Sequence, residues 1–327
     1  MAELPPPTQP TVDAIYRAHV EAAAANDRHE GYGVSVSLLG SPCDRQLWMT
    51  LRWASPPEII TEGRKLRIFA RGNAAEQRII DDLRLAGLQV EDVDPETGRQ
   101  WRLSRANGWL RGRADARCVG VIEAPKAQHV VEIKCIKAAD WRAIQRHGLR
   151  KQKPEHWMQL HEGMASLGID RGLYIAENAD TCELLTERVH LDHEVAAMQE
   201  ARVLRLVDDH DAPMKIADAP KSPPCLFCTH KAMCFESAAP RRHCRTCIFF
   251  AFTRDGNGHC ARFDEPRSPD RQKAGAECPA QRLLPTLVPG DQIDAADDGS
   301  WIEYRLADGT IWRDGADDPA TTIALEN

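Results

Sequence analysis

The stretch VVEIKCIK, residues 130–137, sets Val, Ile and Cys around two charged side chains in what reads as a buried strand. Residues two apart on a strand share a face, so Glu132 and Lys134 emerge side by side from an apolar ladder. Burying a charge is costly unless it is paired or meets a metal. The stretch thus marks a place where the chain accepts a cost, and its neighbours indicate why.

Just upstream, WLRGRADARC (109–118) lies within a second predicted strand, 109–119, and EAPKAQ (123–128) is the turn between them. The hairpin puts Asp115 and Glu132 on adjacent strands. Two carboxylates and the backbone carbonyl of Ile133 form a hard, oxygen-rich site suited to Mg²⁺ or Mn²⁺. Lys134 would then lie where it can stabilise developing negative charge or help deprotonate a water. The bland alternative is an edge strand with a surface ion pair.

Around this hairpin the pattern predicts helices at 11–27, 41–49 (Ser41 as N-cap, Pro42 at the first helical position), 65–88, 138–147, 155–167 and 191–208. Further strands fall at 99–105, 172–177 and 182–191. The order implies an α/β core. We divide the chain into a core (1–217), a linker with the end of a first cysteine site (218–240), a Cys-rich module (241–284) and an acidic tail (285–327) with a hairpin, SWIEYRLADGTIWRDG.

The formal net charge of −7 hides an asymmetry. Residues 285–327 hold ten acidic side chains and two arginines, a balance of −8, so the rest is nearly neutral. Two basic stretches, 99–117 and 137–153, flank the opening motif. Arg111, Arg113, Arg142, Arg146, Arg150, Lys151 and Lys153 are the candidates for holding a phosphate backbone. The tail reads as a solubilising cap, with a DNA-mimicking or partner-docking role as the alternatives. No segment is apolar enough to span a bilayer and the N-terminus lacks a secretion signal, so a soluble cytoplasmic protein is expected.

Eleven cysteines in such a chain argue for metal rather than disulfides. Cys225, Cys228 and Cys234 are one ligand short of a tetrahedral set, and Cys43 is the candidate fourth. Cys244, Cys247, Cys260 and Cys278 make a second set, read as structural zinc, with a second iron–sulfur cluster as the alternative and His243 and His259 as substitute ligands. For the first set, spacing alone fits zinc and iron–sulfur equally. Cys118, Cys135 and Cys182 fall in predicted strands and are expected in the core, with Cys135 facing away from the metals. Arg241, Arg242, Arg245 and Arg254 cluster near the second set, as if to touch DNA or a partner.

Together these motifs resemble the PD-(D/E)xK nuclease superfamily, in particular its iron–sulfur RecB/AddB-like and phage exonuclease-like branch. An acid, a hairpin and Glu-x-Lys carry the likeness, with Gly72 four residues before Glu76 and Gln159 in HWMQLHEGM (156–164). The resemblance spans about residues 35–236. It implies a restriction-endonuclease-like core with a mixed central sheet flanked by helices, and Glu76 as a further metal ligand. Gln159 would orient the active site and DNA, and a [4Fe–4S] cluster would sit on Cys43, Cys225, Cys228 and Cys234. It also implies a DNA exonuclease in recombination or repair, of phage or prophage type, with DNA and a recombination partner such as a single-strand annealing protein. Two departures stand out: Gly163 where tyrosine is usual, and Ala114 where proline is usual. The competing reading is a non-catalytic DNA-binding or assembly module on the same scaffold.

Overall fold

The computed structural model describes residues 9–25, 32–56 and 61–315. Helix α1 (Pro10–Ala25), strand β1 (Val34–Ser35), helix α2 (Asp44–Leu51) and helix α3 (Gly63–Leu85) come first. Strands β2 (Gln89–Glu91), β3 (Arg102–Arg105), β4 (Leu110–Arg113), β5 (Ala116–Val119) and β6 (His129–Ile136) follow. Helices α4 (Ala138–His147), α5 (Leu149–Gln152) and α6 (Pro154–Leu167) lead to strands β7 (Arg171–Asn178) and β8 (Leu184–His190) and helix α7 (His193–Asp208).

The main sheet runs β2-β5-β6-β7-β8. Only β6 and β7 pair in parallel, which is why three helices separate them; the other neighbours are antiparallel. Alternation sorts the two faces. Val131, Ile133, Leu173 and Ile175 face α3 through Ile79 and Ile80. Val130, Tyr174 and Ala176 join the larger core containing Trp157, Leu160 and Met164 of α6. Glu132 and Lys134 share the Val130 face by alternation.

The predicted strand 109–119 is in fact two. Leu110–Arg113 belongs to a separate sheet, β1-β4-β3, while Ala116–Val119 joins the main one. At the break the Ala114 amide bonds to the Trp101 carbonyl (3.0 Å) instead of continuing along β6. Gly112 makes this possible: a Cβ there would lie 2.2 Å from the Val36 side chain. Asp115 sits between the two sheets.

Other boundaries moved for local reasons. The helix expected at 41 begins at Asp44 with Cys43 as its N-cap, because Ser41 is taken up by Gln46 (2.6 Å) and the Cys43 amide (3.3 Å). Strand 99–105 shrinks to Arg102–Arg105 because Asp94 to Arg99 close a turn. Cys182 is exposed in the β7–β8 turn at φ 61°, so it is not a core residue as expected. Residues 26 and 27 of the first expected helix lie outside the described residues.

Beyond α7 come α8 (Lys231–Phe235), a three-stranded antiparallel sheet of β9 (Phe250–Phe252), β10 (Gly258–Cys260) and β11 (Glu265–Arg267), and α9 (Pro269–Lys273). A last antiparallel sheet joins β12 (Gly290–Ala295), β13 (Ile302–Leu306) and β14 (Ile311–Asp314). Residues 316–327 of the acidic tail lie outside the described residues. Leu284 and Leu287 are buried in the same core as α2 and α7. Among the described residues no helix is long and apolar enough to cross a membrane.

Candidate active site and thiol sites

Strand β5 pairs with β6 only as far as Ala116 opposite Val131. Past that point Asp115 replaces the missing strand with its side chain, accepting the Ile133 N–H at Oδ2 (2.7 Å). The N–H and C=O of one strand residue point the same way, so the Ile133 carbonyl faces the same gap. Glu132 is buried and hydrogen-bonded to the Lys134 ammonium. Glu76 reaches the gap from α3, on the opposite face, and its carboxylate accepts from the Gln100 amide (3.3 Å).

These groups feel one another strongly. Burial pushes the Glu132 carboxyl up to about 8, and the carboxylates of Asp115 and Glu76 reinforce the rise. Asp115 is raised by burial against the pull of Lys134. Glu76 is raised by burial and by Asp115. Lys134 is raised too, since three carboxylates outweigh the desolvation of its ammonium. Every proton affinity in the cluster moves in the direction that supplies positive charge. Once a cation displaces the Glu132 proton, three carboxylates less one ammonium leave a deficit of two, the charge of one divalent cation. The donor set is all oxygen, which fits Mg²⁺ or Mn²⁺. Among the described residues, however, no three His, Cys, Asp or Glu side chains converge closely enough to ligate one ion. Side-chain rotation would have to close the set.

Two residues that the sequence reading passed over line this site. Tyr174 stands opposite Glu132 in the β6–β7 register, and its hydroxyl meets His156 Nδ1 at 2.9 Å. His156 is driven down to about 3 by burial and by the ammoniums of Lys134 and Lys153, so it is neutral. The only sequence hint was the polar His156 three residues before Gln159. Gln159 is half-buried on α6. The glycine at 163 has a packing reason: a Cβ there would lie 3.2 Å from Val130 Cγ1, so α6 approaches β6 too closely for tyrosine.

Of the basic candidates, Arg113, Arg142, Arg146, Arg150 and Lys151 are exposed. Arg150 lies over the Trp157 ring at 4.6 Å. Arg111 is half-buried and hydrogen-bonded to the Gly108 carbonyl, and Lys153 is paired with Asp140 (3.2 Å). Those two are engaged within the fold.

Cys43, Cys225, Cys228 and Cys234 line one narrow cavity. Cys244, Cys247, Cys260 and Cys278 line another, of about 270 Å³. Backbone amides are aimed at the sulfurs: that of His230 at Cys228, and those of Phe249 and Arg282 at Cys247. Burial nevertheless raises both thiols, the amides opposing it. The all-thiol donor sets suit a thiophilic metal. Among the described residues, however, no three of these sulfurs converge closely enough to ligate one ion, so side-chain rotation would have to close either set. His243 does not join the second quartet, since its Nε2 meets the Trp53 carbonyl (3.1 Å). His259 lies 3.2 Å from Asp264. The arginines expected to form a surface here do not: Arg245 is completely buried, and Arg242 is paired with Asp314 (2.9 Å). Arg254 stays exposed, 3.9 Å from Asp208.

No family model matches the chain, and no curated protein matches it. Solved structures with a related chain path include the alkaline exonuclease LHK-Exo of Laribacter hongkongensis, 16% identical, TM-score 0.39, covering 54% of this chain and 87% of that one. The same exonuclease in complex with dAMP is 15% identical, TM-score 0.38, covering 60% and 90%. A protein designated SSO0001 is 17% identical, TM-score 0.37, covering 68% and 96%. Likenesses this distant leave the function to be argued from the site itself.

Proposed function

We propose that the chain is a metal-dependent DNA nuclease of the PD-(D/E)xK kind, an exonuclease acting in recombination or repair. The observation that carries the reading is the deficit of positive charge among Glu76, Asp115, Glu132 and Lys134. A structural ion pair has no need of three carboxylates around one ammonium, with Glu132 buried beside the gap between strands. A divalent ion that bridges to substrate phosphate does need them.

Glu76, Asp115, Glu132 and the Ile133 carbonyl would hold Mg²⁺ or Mn²⁺, which supplies Lewis acidity and lowers the pKa of a bound water. Lys134 stays protonated and places its ammonium against the charge that develops on the scissile phosphate. Tyr174 and neutral His156 form a floor beneath Glu132 and Lys134 that excludes water without adding charge. Exposed Arg113, Arg142, Arg146, Arg150 and Lys151 neutralise the DNA backbone, with Gln159 as an orienting residue. We read the first thiol quartet as the seat of a [4Fe–4S] cluster and the second as a structural Zn²⁺ site.

The test is digestion of end-labelled linear and covalently closed circular DNA with Mg²⁺, comparing the wild type with Lys134→Ala. Degradation of linear DNA alone, lost in the variant, supports the reading. Intact DNA with the metal-replete wild type would leave a binding module as the better description.

A further inference from the structure

Residues 50–55, the end of α2 and the turn after it, are gripped by both cysteine-bearing segments. His230, inside the loop carrying Cys225, Cys228 and Cys234, bonds Thr50 Oγ1 through Nε2 (3.0 Å) and Ser55 Oγ through Nδ1 (2.8 Å). Between those two contacts the segment is held mainly by the second cysteine segment, with Arg52 also donating to the Asp209 carbonyl (2.7 Å). Arg245, flanked by Cys244 and Cys247, donates Nη1 to the Leu51 carbonyl (2.7 Å) and lies over the Trp53 ring at 3.6 Å. Arg52 donates back to the Arg245 carbonyl (3.1 Å). His243 meets the Trp53 carbonyl, and the Arg241 amide donates to Ala54 (2.9 Å).

The centre of the segment is strained. Trp53 sits at φ 49°, in the left-handed region that bulky side chains avoid. Such conformations persist only where their surroundings over-determine them. The clamp on Trp53 is built from the His243 and Arg245 side chains, on the backbone segment that carries Cys244 and Cys247. Arg245 is itself fully buried, and each of its three guanidinium nitrogens donates, with Gln272 Oε1 (2.7 Å) and the Tyr32 carbonyl (3.2 Å) as further acceptors. If that backbone loosens, Trp53 can relax, and Thr50 and Ser55 move off His230. The far end of α2 is held independently, by Arg202 and Arg205 on Asp44 (2.7 and 2.6 Å). The coupling therefore runs through His230 rather than through Cys43.

We propose that the two thiol sites are energetically linked: a thiophilic divalent ion such as Zn²⁺ on Cys244, Cys247, Cys260 and Cys278 locks residues 50–55 and thereby stabilises the cluster on the first quartet. The second site is a staple for the first. This rests on the metal readings above but not on the nuclease reading, because nothing in it involves DNA. Linkage is reciprocal, so the first site strengthens the second by the same factor.

The experiment uses full-length protein purified without oxygen. Iron, sulfide and zinc are counted per chain, and the half-life of iron release into a chelator is followed by visible absorbance. Two variants are compared with the wild type. Cys260→Ser removes a second-site ligand on β10, remote from residues 50–55, and Arg245→Met keeps all eight thiols but breaks the clamp. Both should shorten the half-life about tenfold, within the usual range of coupling between sites. Hydrogen exchange should quicken in 44–55 while 116–136 stays protected. A zinc-free Cys260→Ser protein that holds its iron as long as the wild type would overturn the proposal, as would exchange rising equally in 116–136. Wild-type protein without metal at the second quartet overturns it at its premise.

Discussion

Asp115 holds the Ile133 N–H at 2.7 Å where β5 has left β6, so one side chain stands in for a missing strand. That dual use predicts different results for two substitutions. Asp115→Asn keeps an acceptor for the amide and should fold normally, judged by circular dichroism, while Mg²⁺-dependent cleavage falls more than about 100-fold, the size of effect seen when a charge-stabilising group is removed. Asp115→Ala also strands the amide, at a cost of about 1–3 kcal/mol. Wild-type cleavage by the asparagine variant would rule out Asp115 as a ligand.

The electrostatics predict how metal-free protein responds to pH. Glu132 binds its proton more tightly in the fold, at about 8, than the ordinary carboxyl of an unfolded chain at 4.5. Between those values the folded state carries more protons than the unfolded one. Stability therefore falls as pH rises through this window, by up to about 1.4 kcal/mol per pH unit for one such group. Melting in EDTA should show a lower Tm at pH 8 than at pH 5.5, with Mg²⁺ restoring most of the loss. Glu132→Gln should flatten the EDTA profile. A Tm that rises with pH in EDTA contradicts the raised carboxyl.

How much of this could be read beforehand divides along physical lines. β6, its crossover helices and the Glu132–Lys134 pair follow from hydrophobic periodicity, a local signal. The break at Ala114–Asp115 does not, because 109–119 is locally a good strand. What divides it is a bond to Trp101 and the close approach of Val36, partners distant in sequence. His156 and Tyr174 were hidden for the same reason, since their pairing needs α6 packed against β7. Arg245 was misread as surface because an arginine among basic neighbours looks solvated. Only the fold reveals the carbonyls and rings that enclose it.

Gly163 stands where the resembling families carry tyrosine, and its surroundings predict that tyrosine cannot be restored. With Val130 Cγ1 at 3.2 Å and Leu103 Cδ1 at 3.9 Å from a Cβ, Gly163→Tyr overpacks a buried interface. Overpacking costs about 1–3 kcal/mol or more, so the midpoint of urea unfolding should drop clearly. An unchanged midpoint would mean that α6 can lift from β6 without cost.

Gly72 makes the opposite case. It lies inside α3, one turn before Glu76, and a Cβ there meets nothing within 4 Å. A mid-helix glycine costs about 0.5–1 kcal/mol relative to alanine. Gly72→Ala should therefore raise the unfolding free energy by that amount. If the open face is where the DNA backbone passes, the KM for linear DNA rises while kcat changes little. A variant that is more stable with an unaltered KM would show that the space beside Gly72 is unused by substrate.

Arg142 and Arg146 lie one turn apart on α4, which follows β6 directly, and both side chains are exposed. A phosphate contact contributes about 0.9 to the slope of log affinity against log salt for duplex DNA. Arg142→Ala and Arg146→Ala should each lower that slope by about 1 and weaken binding equally for unrelated sequences, since such contacts carry no base information. Lys153 is the control. Its ammonium is already held by Asp140, so Lys153→Ala should leave the slope nearly unchanged. The comparison needs only fluorescence anisotropy in Ca²⁺ or EDTA, where no DNA is cut. If Lys153 alters the slope as much as the two arginines, DNA does not run along the exposed face of α4.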